Sequence, residues 1–417
     1  MIEYKDGILR LNLHNDIPDL LWSVSFFLFM LSVICFGSTT SGANYYYYFV
    51  FFLFIGVSLA LSFNRRRFTR LYLPVHTVWY GLFIILSVIS SIWADSFATS
   101  FVPLSKILQI LAVTYCLILY IDSEEKLERY IYTVLAASVF LILFIYVRTP
   151  PAQWFAGFLG SVTRYNTNDV GCAISICVLL SFYEGYIKHK KLCFAICAFS
   201  FLTVILTSSR KSLFMSALGI IMIVMFNYRA RNYFLRLLCI LAAGVLAFVL
   251  IYQIPSLYNT VGVRLDSMVE YFMNDKSADY SIALRRFYID ISKSIFAEHP
   301  LLGAGFNNFS YLIRSYNRAY SYAHNNYWEI LAGLGIVGFI TYYWFYVYLF
   351  LKLFRQIIDG HKSALLFTPL ILLFIVFEYG MVDYYKMQVH LVLAAMFCAV
   401  SINDTPVKKP SGEEDDT

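Results

Sequence analysis

Residues 237–254 read LLCILAAGVLAFVLIYQI, eighteen residues in a row without a charged side chain. At about 1.5 Å of rise per residue, a helix of this length crosses most of a hydrocarbon layer about 30 Å thick. Before it stands NYRARNYFLR (227–236), with three arginines, and after it a long connection of mixed polarity, residues 255–325. A charge-free run between a basic flank and a polar one reads as a membrane-crossing helix. Comparable runs lie at 20–36, 45–63, 76–93, 104–121, 130–147, 170–187, 192–209, 212–226, 326–351, 364–380 and 389–403.

The composition agrees with this reading. Hydrophobic residues make up 60% of the 417 residues and charged ones 14%, against about 25% charged in a soluble domain. The expected fold class is an all-α polytopic integral membrane protein with about 12 transmembrane helices and a large helical extracytoplasmic loop between helices 9 and 10. Residues 1–254 form an N-terminal bundle of helices 1–9, 255–325 the loop, 326–403 helices 10–12, and 404–417 a polar, disordered cytoplasmic tail. The start, MIEYKDGILRLNLHND, has mixed charge, so the first apolar run reads as a retained helix rather than a cleaved signal.

The connections NRRRFTR (64–70), KHKK (188–191), NYRARNYFLR (227–236) and KLFRQIIDGHK (352–362) alternate with basic-poor ones. By the positive-inside rule that side is cytoplasmic, with both termini on it. The net charge of +6 is divided between the two sides of a membrane, so it forms no single basic surface for nucleic acid. All eight cysteines fall within apolar runs and imply neither a disulfide framework nor a metal site; Cys193 and Cys197 stand a turn apart with no His or carboxylate beside them.

The basic residues on the outer side stand against the usual bias, and chemistry is expected among them: Lys106, Arg148, Arg164, Arg210, Lys211, Lys386 and seven in the long connection. SSRKS (208–212) makes a tight turn between two spans, where free N–H groups at a helix start and two cations, Arg210 and Lys211, suit a phosphate or diphosphate. The same pair also suits snorkelling to lipid headgroups. In the connection, YSIALRRFYIDISKSIF (280–296) has the rhythm of an amphipathic helix on or near the membrane, carrying Arg285 and Arg286 about 100° apart, so at most one of the two faces a site. HPLLGAGFNNF (299–309) breaks it with Pro300, Gly303 and Gly305. His324 opens HNNYWEIL at the mouth of the next span, placed either to take a proton from a hydroxyl or to bond a helix end. Asp275 with Asp279 is too sparse a pair for a magnesium site.

SSRKSLFM, ALRRFYIDISKSIFAEHPLLGAGFNNF and AHNNYWEILAGLGIVG resemble, in order, spacing and membrane side, the signature stretches of the bacterial O-antigen polymerase and O-antigen ligase superfamily. The resemblance covers residues 203–340. It puts the family's phosphate-binding arginines on Arg210 and Arg285 and its loop histidine on His324, with Lys211 and Arg286 as neighbours it does not require. It implies glycosyl transfer at the outer face of the bacterial cytoplasmic (inner) membrane, from a glycan on undecaprenyl diphosphate, without nucleotide sugar, metal or other cofactor. The implied partners are an undecaprenyl-diphosphate-linked oligosaccharide donor and acceptor, membrane lipids, a chain-length regulator and a flippase. Arg210 and Arg285 then hold the donor diphosphate while His324 activates an acceptor hydroxyl that attacks with inversion. Arg164, Asn166 and Asp169 in TRYNTND (163–169) and Trp154 in PPAQWF are candidates for binding sugars. A polymerase of O-antigen, capsule or exopolysaccharide repeats is the favoured reading; a ligase moving polymer onto a lipid core or protein is the second, and a flippase or transporter for the lipid-linked repeat the third. The acidic residues Glu378 and Asp383 stay without an assigned role.

Overall fold

A computed structural model describes residues 2–5, 8–11, 13–36, 45–64, 73–155, 158–163, 166–229, 231–274, 280–317 and 321–404. Arg164, the pair Asp275 and Asp279, the loop 65–70 and the tail 405–417 lie outside them. A short antiparallel hairpin, β1 (Ile2–Lys5) with β2 (Ile8–Leu11), precedes α1 (Leu13–Leu31). Among the described residues the regular elements after it are helical: α2 (Tyr45–Asn64), α3 (Val75–Ser90), α4 (Phe97–Tyr120), α5 (Glu124–Arg148), α6 (Thr167–Tyr186), α7 (Lys191–Leu206), α8 (Arg210–Phe226) and α9 (Tyr233–Gln253). The long connection holds α10 (Pro255–Leu257), α11 (Val263–Asn274), α12 (Tyr280–Glu298), α13 (Phe309–Leu312) and α14 (Arg314–Asn317). The chain ends with α15 (Asn326–Asp359), α16 (Ala364–Phe377) and α17 (Met387–Asp404).

Among the described residues, eight helices are long and apolar enough to cross a membrane: α1, α2, α4, α5, α6, α9, α15 and α17. Val75–Ser90, Lys191–Leu206 and Ala364–Gly380 are shorter apolar helices. One continuous core joins α1–α8 to α15–α17 and contains large rings such as Trp22, Trp79, Phe83 and Tyr346. Helix α9 differs: Leu238, Val245, Leu246 and Phe248 are all exposed, and Ile251 is its buried residue. An apolar helix with its side chains turned outward is what a lipid-facing position at the rim of a bundle requires.

The connection has a small core of its own. Tyr288, Ile291, Ser292 and Ile295 of α12 are buried at helical spacing, packed with Phe309, Ile313 and Ala323. The apolar stripe of this amphipathic helix is therefore turned onto protein, while Phe287 is exposed.

Glycines join this connection to the bundle. The sequence reads residues 326–351 as one span, but Gly335 (φ 63°, ψ −165°) breaks α15 after its first turns. The PLLGAG segment docks into the break: the N–H groups of Ala304 and Gly305 donate to Ala332 O and Gly333 O, both at 2.9 Å. Ile336 and Val337 in turn donate to Pro300 O (2.9 Å) and Leu301 O (3.2 Å). Four backbone groups around the break thus find partners, a requirement wherever water is scarce. Gly303 (φ 68°) lies so close to Gly333 that a Cβ would sit 2.3 Å from its carbonyl carbon. The end of α3, the start of α4 and the turn between them clamp the same segment: Phe306 N–H donates to Ser90 Oγ (3.1 Å), Ser100 Oγ to Phe306 O (2.5 Å) and Asn308 Nδ2 to Asp95 Oδ2 (2.8 Å).

Candidate functional site

Three segments remote in sequence meet at one end of the bundle: the start of α8, the face of α12 and the turn before α15. At α8, Ser208 takes a left-handed backbone (φ 57°) and Ser209 caps the helix, accepting from Ser212 N–H and donating to Asn168 Oδ1 at 3.0 Å. Helices α6 and α8 come this close because Gly171 faces Ser212, where a Cβ would be 2.4 Å from the hydroxyl. Arg210 and Lys211 occupy the first turn of α8. The guanidinium of Arg210 donates to Ser267 Oγ of α11 at 3.4 Å, and the Lys211 ammonium donates to the carbonyl of Gly380.

His324 is held in the left-handed region (φ 55°), uncommon for a residue with a Cβ and frequent at functional sites. Its neighbours fix it there. Asn325 caps α15 by accepting from Trp328 N–H (3.1 Å), and Glu329 Oε2 accepts from Ala323 N–H (2.6 Å). The imidazole stacks on Tyr288 (5.7 Å, 8° between planes) and against Tyr322 (4.0 Å). Arg285, half-buried, precedes Tyr288 by three residues and so shares its face, whereas Arg286 is exposed.

Burial, then the positive charges of Arg285, Lys211 and Lys386, push His324 down to about 4, with Asp169 opposing them. The imidazole is therefore neutral at physiological pH. It can accept a hydrogen bond or a proton, and the net positive field around it suits an anion.

Lys386, from the turn between α16 and α17, lies 2.6 Å from Asp169 Oδ1 and 3.2 Å from Asp383 Oδ1. Burial opposes its charge, but Asp383 and Asp169 outweigh that and raise its pKa well above the ordinary value. Beside this triad is a cavity of about 240 Å³, lined on its polar side by Lys106, Asp169, Tyr322, Asp383, Tyr385 and Lys386 and on its apolar side by residues such as Ile176, Met215 and Phe374.

Of the residues singled out in the sequence, Arg285, Lys211, His324 and Asp169 share one electrostatic neighbourhood, and Arg210 adjoins Lys211 facing α11. Asn166 is the exposed N-cap of α6, accepting from Asn168 N–H at 3.0 Å. Trp154 is half-buried, its indole donating to Thr149 O (2.8 Å) with its ring edge-on to Tyr146. Asp383 pairs with Lys386 rather than with an arginine. Glu378 is buried and accepts from Tyr343 (2.5 Å), Tyr346 (2.6 Å) and Asn326 (3.0 Å), so it pins α15 to the end of α16. Sequence reasoning assigned no site role to Lys106, Lys386, Tyr288, Tyr322 or Tyr385. The two lysines were signalled by standing on the basic-poor side, and Tyr288 by its spacing from Arg285; the other tyrosines left no signal.

Residues 195–343 match the Wzy_C family, described as O-antigen ligase. The matched stretch contains Arg210, Arg285 and His324, and it supports placing the chain in the O-antigen polymerase and ligase superfamily. That family implies a glycosyltransferase-like enzyme working on lipid-linked oligosaccharides in a membrane. No curated protein matches the chain.

Proposed function

We propose that this chain is a metal-independent, inverting glycosyltransferase that polymerises undecaprenyl-diphosphate-linked repeat units at the outer face of the cytoplasmic membrane, with about twelve spanning helices and both termini inside. The observation that carries the reading is the neutral His324 in a net positive field raised by Arg285, Lys211 and Lys386, within the stretch that matches the O-antigen ligase family.

The chemistry follows from charge. A glycosyl diphosphate already contains its leaving group, so the protein must stabilise the negative charge that develops on it and remove a proton from the acceptor hydroxyl. Arg210 and Arg285 take the first task, their guanidiniums gripping phosphate oxygens two at a time, with Lys211 adding charge at the helix start. His324 takes the second. Burial and the surrounding cations depress its basicity, and the charge of a bound diphosphate cancels much of the cations' field and raises it. The base thus gains strength when the donor is in place. As the acceptor oxygen bonds to the anomeric carbon, the bond to the diphosphate oxygen breaks with its electron pair leaving on the phosphate, and the hydroxyl proton passes to His324.

Purified protein in lipid discs, given synthetic undecaprenyl-diphosphate-linked repeats, is expected to yield a ladder of longer products with or without chelator. Products no longer than the starting repeat would overturn the reading. The match to the O-antigen ligase family favours a second reading, transfer of finished polymer to a lipid core or protein. Gene disruption separates the two: loss of a polymerase leaves single repeats on their acceptor, and loss of a ligase leaves polymer on the carrier.

A further inference from the structure

The cavity beside His324 draws its four charged residues, Lys106, Asp169, Asp383 and Lys386, from outside the family-matched stretch 195–343. That charge is supplied by α4, α6 and the turn between α16 and α17. Tyr322 lines the cavity and touches the imidazole, so cavity and histidine share a boundary.

The charged groups are not equivalent. Lys386 is matched twice, by Asp169 and by Asp383. The Lys106 ammonium lies 5.1 Å from the centre of the Tyr385 ring and, among the described residues, has no carboxylate within ion-pair distance. A half-buried ammonium facing only a ring has lost hydration without gaining a counter-charge, and it attracts an anion. The two aspartates offer acceptors for hydroxyl groups, and Tyr322 and Tyr385 offer flat apolar surfaces. At about 240 Å³ the space falls just below the range of about 300–1,000 Å³ typical of drug-sized ligands, so it suits one sugar ring rather than an extended glycan.

We propose that this cavity is the acceptor subsite and that it selects an acidic sugar, the ring's carboxylate pairing with Lys106, its hydroxyls bonding Asp169 and Asp383, and its apolar face lying on an aromatic ring. Its role as acceptor subsite rests on the glycosyltransferase reading; its preference for an acidic ring is read without any transfer. Ligand-observed NMR on the full-length protein in lipid discs, with no donor present, compares methyl glucuronide, methyl glucoside and inorganic phosphate. The glucuronide is expected to bind at least tenfold more tightly than the glucoside, Lys106→Met to erase that preference and Lys106→Arg to keep it. Equal binding of the two sugars, a preference unchanged in Lys106→Met, or displacement of the glucuronide by phosphate at equal concentration would each overturn the proposal. In the transfer assay, repeats ending in an acidic sugar should lose at least tenfold in kcat/KM in Lys106→Met while repeats ending in a neutral sugar lose less than threefold. Glucuronide selectivity without any transfer would sink the functional reading and leave the acidic-sugar site standing.

Discussion

At the end of the bundle away from His324, several cations each lie against a nearby carboxylate. Lys188 lies 2.5 Å from Glu128, Lys190 3.1 Å from Glu184, Lys352 2.7 Å from Asp404 and Arg129 2.9 Å from Glu125. At the His324 end the matching is uneven. Lys386 takes two carboxylates, Lys211 reaches a backbone carbonyl and Lys106 faces a ring, and burial together with the cations Arg285, Lys211 and Lys386 holds a histidine down at about 4. The same residue types serve opposite ends. Exposed pairs such as Lys352 with Asp404 contribute little and ask nothing of a ligand, whereas uneven pairing in a sheltered place leaves an attraction that a ligand satisfies.

The hardest test of that contrast removes the groups at the centre of the field. His324→Ala and Arg285→Ala are each expected to lower the rate of polymer formation by at least about 100-fold, the usual scale for a general base or a charge-stabilising donor. Normal rates in both would break the comparison. Gly303→Ala attacks the scaffold, since a Cβ there meets the Gly333 backbone at 2.3 Å. It should cost about 3 kcal/mol or more of loop docking, seen as at least tenfold faster proteolysis within the 255–325 connection.

Lys386→Met leaves the buried Asp383 without its cation and should cost about 3 kcal/mol, measured as a lowered unfolding temperature. The double variant Lys386→Met with Asp383→Asn should recover part of that loss. An equal loss in both would mean that the lysine's packing, not its charge, matters.

Arg285→Gln tests the field through pH. His324 accepts a proton only while neutral, and its native pKa lies below the ordinary 6.5, so activity limited by this base is full above about 6.5 and fades as pH falls through about 4. Removing the Arg285 cation should move the acid limb upward toward 6.5 in what activity remains; an unmoved limb would show that the field does not reach the histidine. The smallest effect is expected at the opposite end, where Lys352→Ala should change stability by less than about 1 kcal/mol and leave product length unchanged.

The site was partly legible in the sequence. Arg210 and Lys211 stood out because cations on the basic-poor side run against the usual bias, Arg285 as one of a pair on an amphipathic helix, and His324 by its place at the mouth of the next span. The break at Gly335 was not legible: AGLGIVG reads as ordinary apolar helix until a second segment supplies the carbonyls and N–H groups that make a break affordable. Tyr322 was equally silent, one aromatic among 34 tyrosines, and its place against His324 depends on how the turn before α15 lies over α12.

The residues alone determined the helical class, the rhythm of apolar runs and the uneven distribution of charge, because transfer from water to hydrocarbon is scored residue by residue along a chain. Tertiary structure decided which charges meet. Lys386 and Asp169 stand 217 residues apart and Asn308 and Asp95 213 apart, and such pairs are set by the packing of several helices at once, which no local pattern encodes.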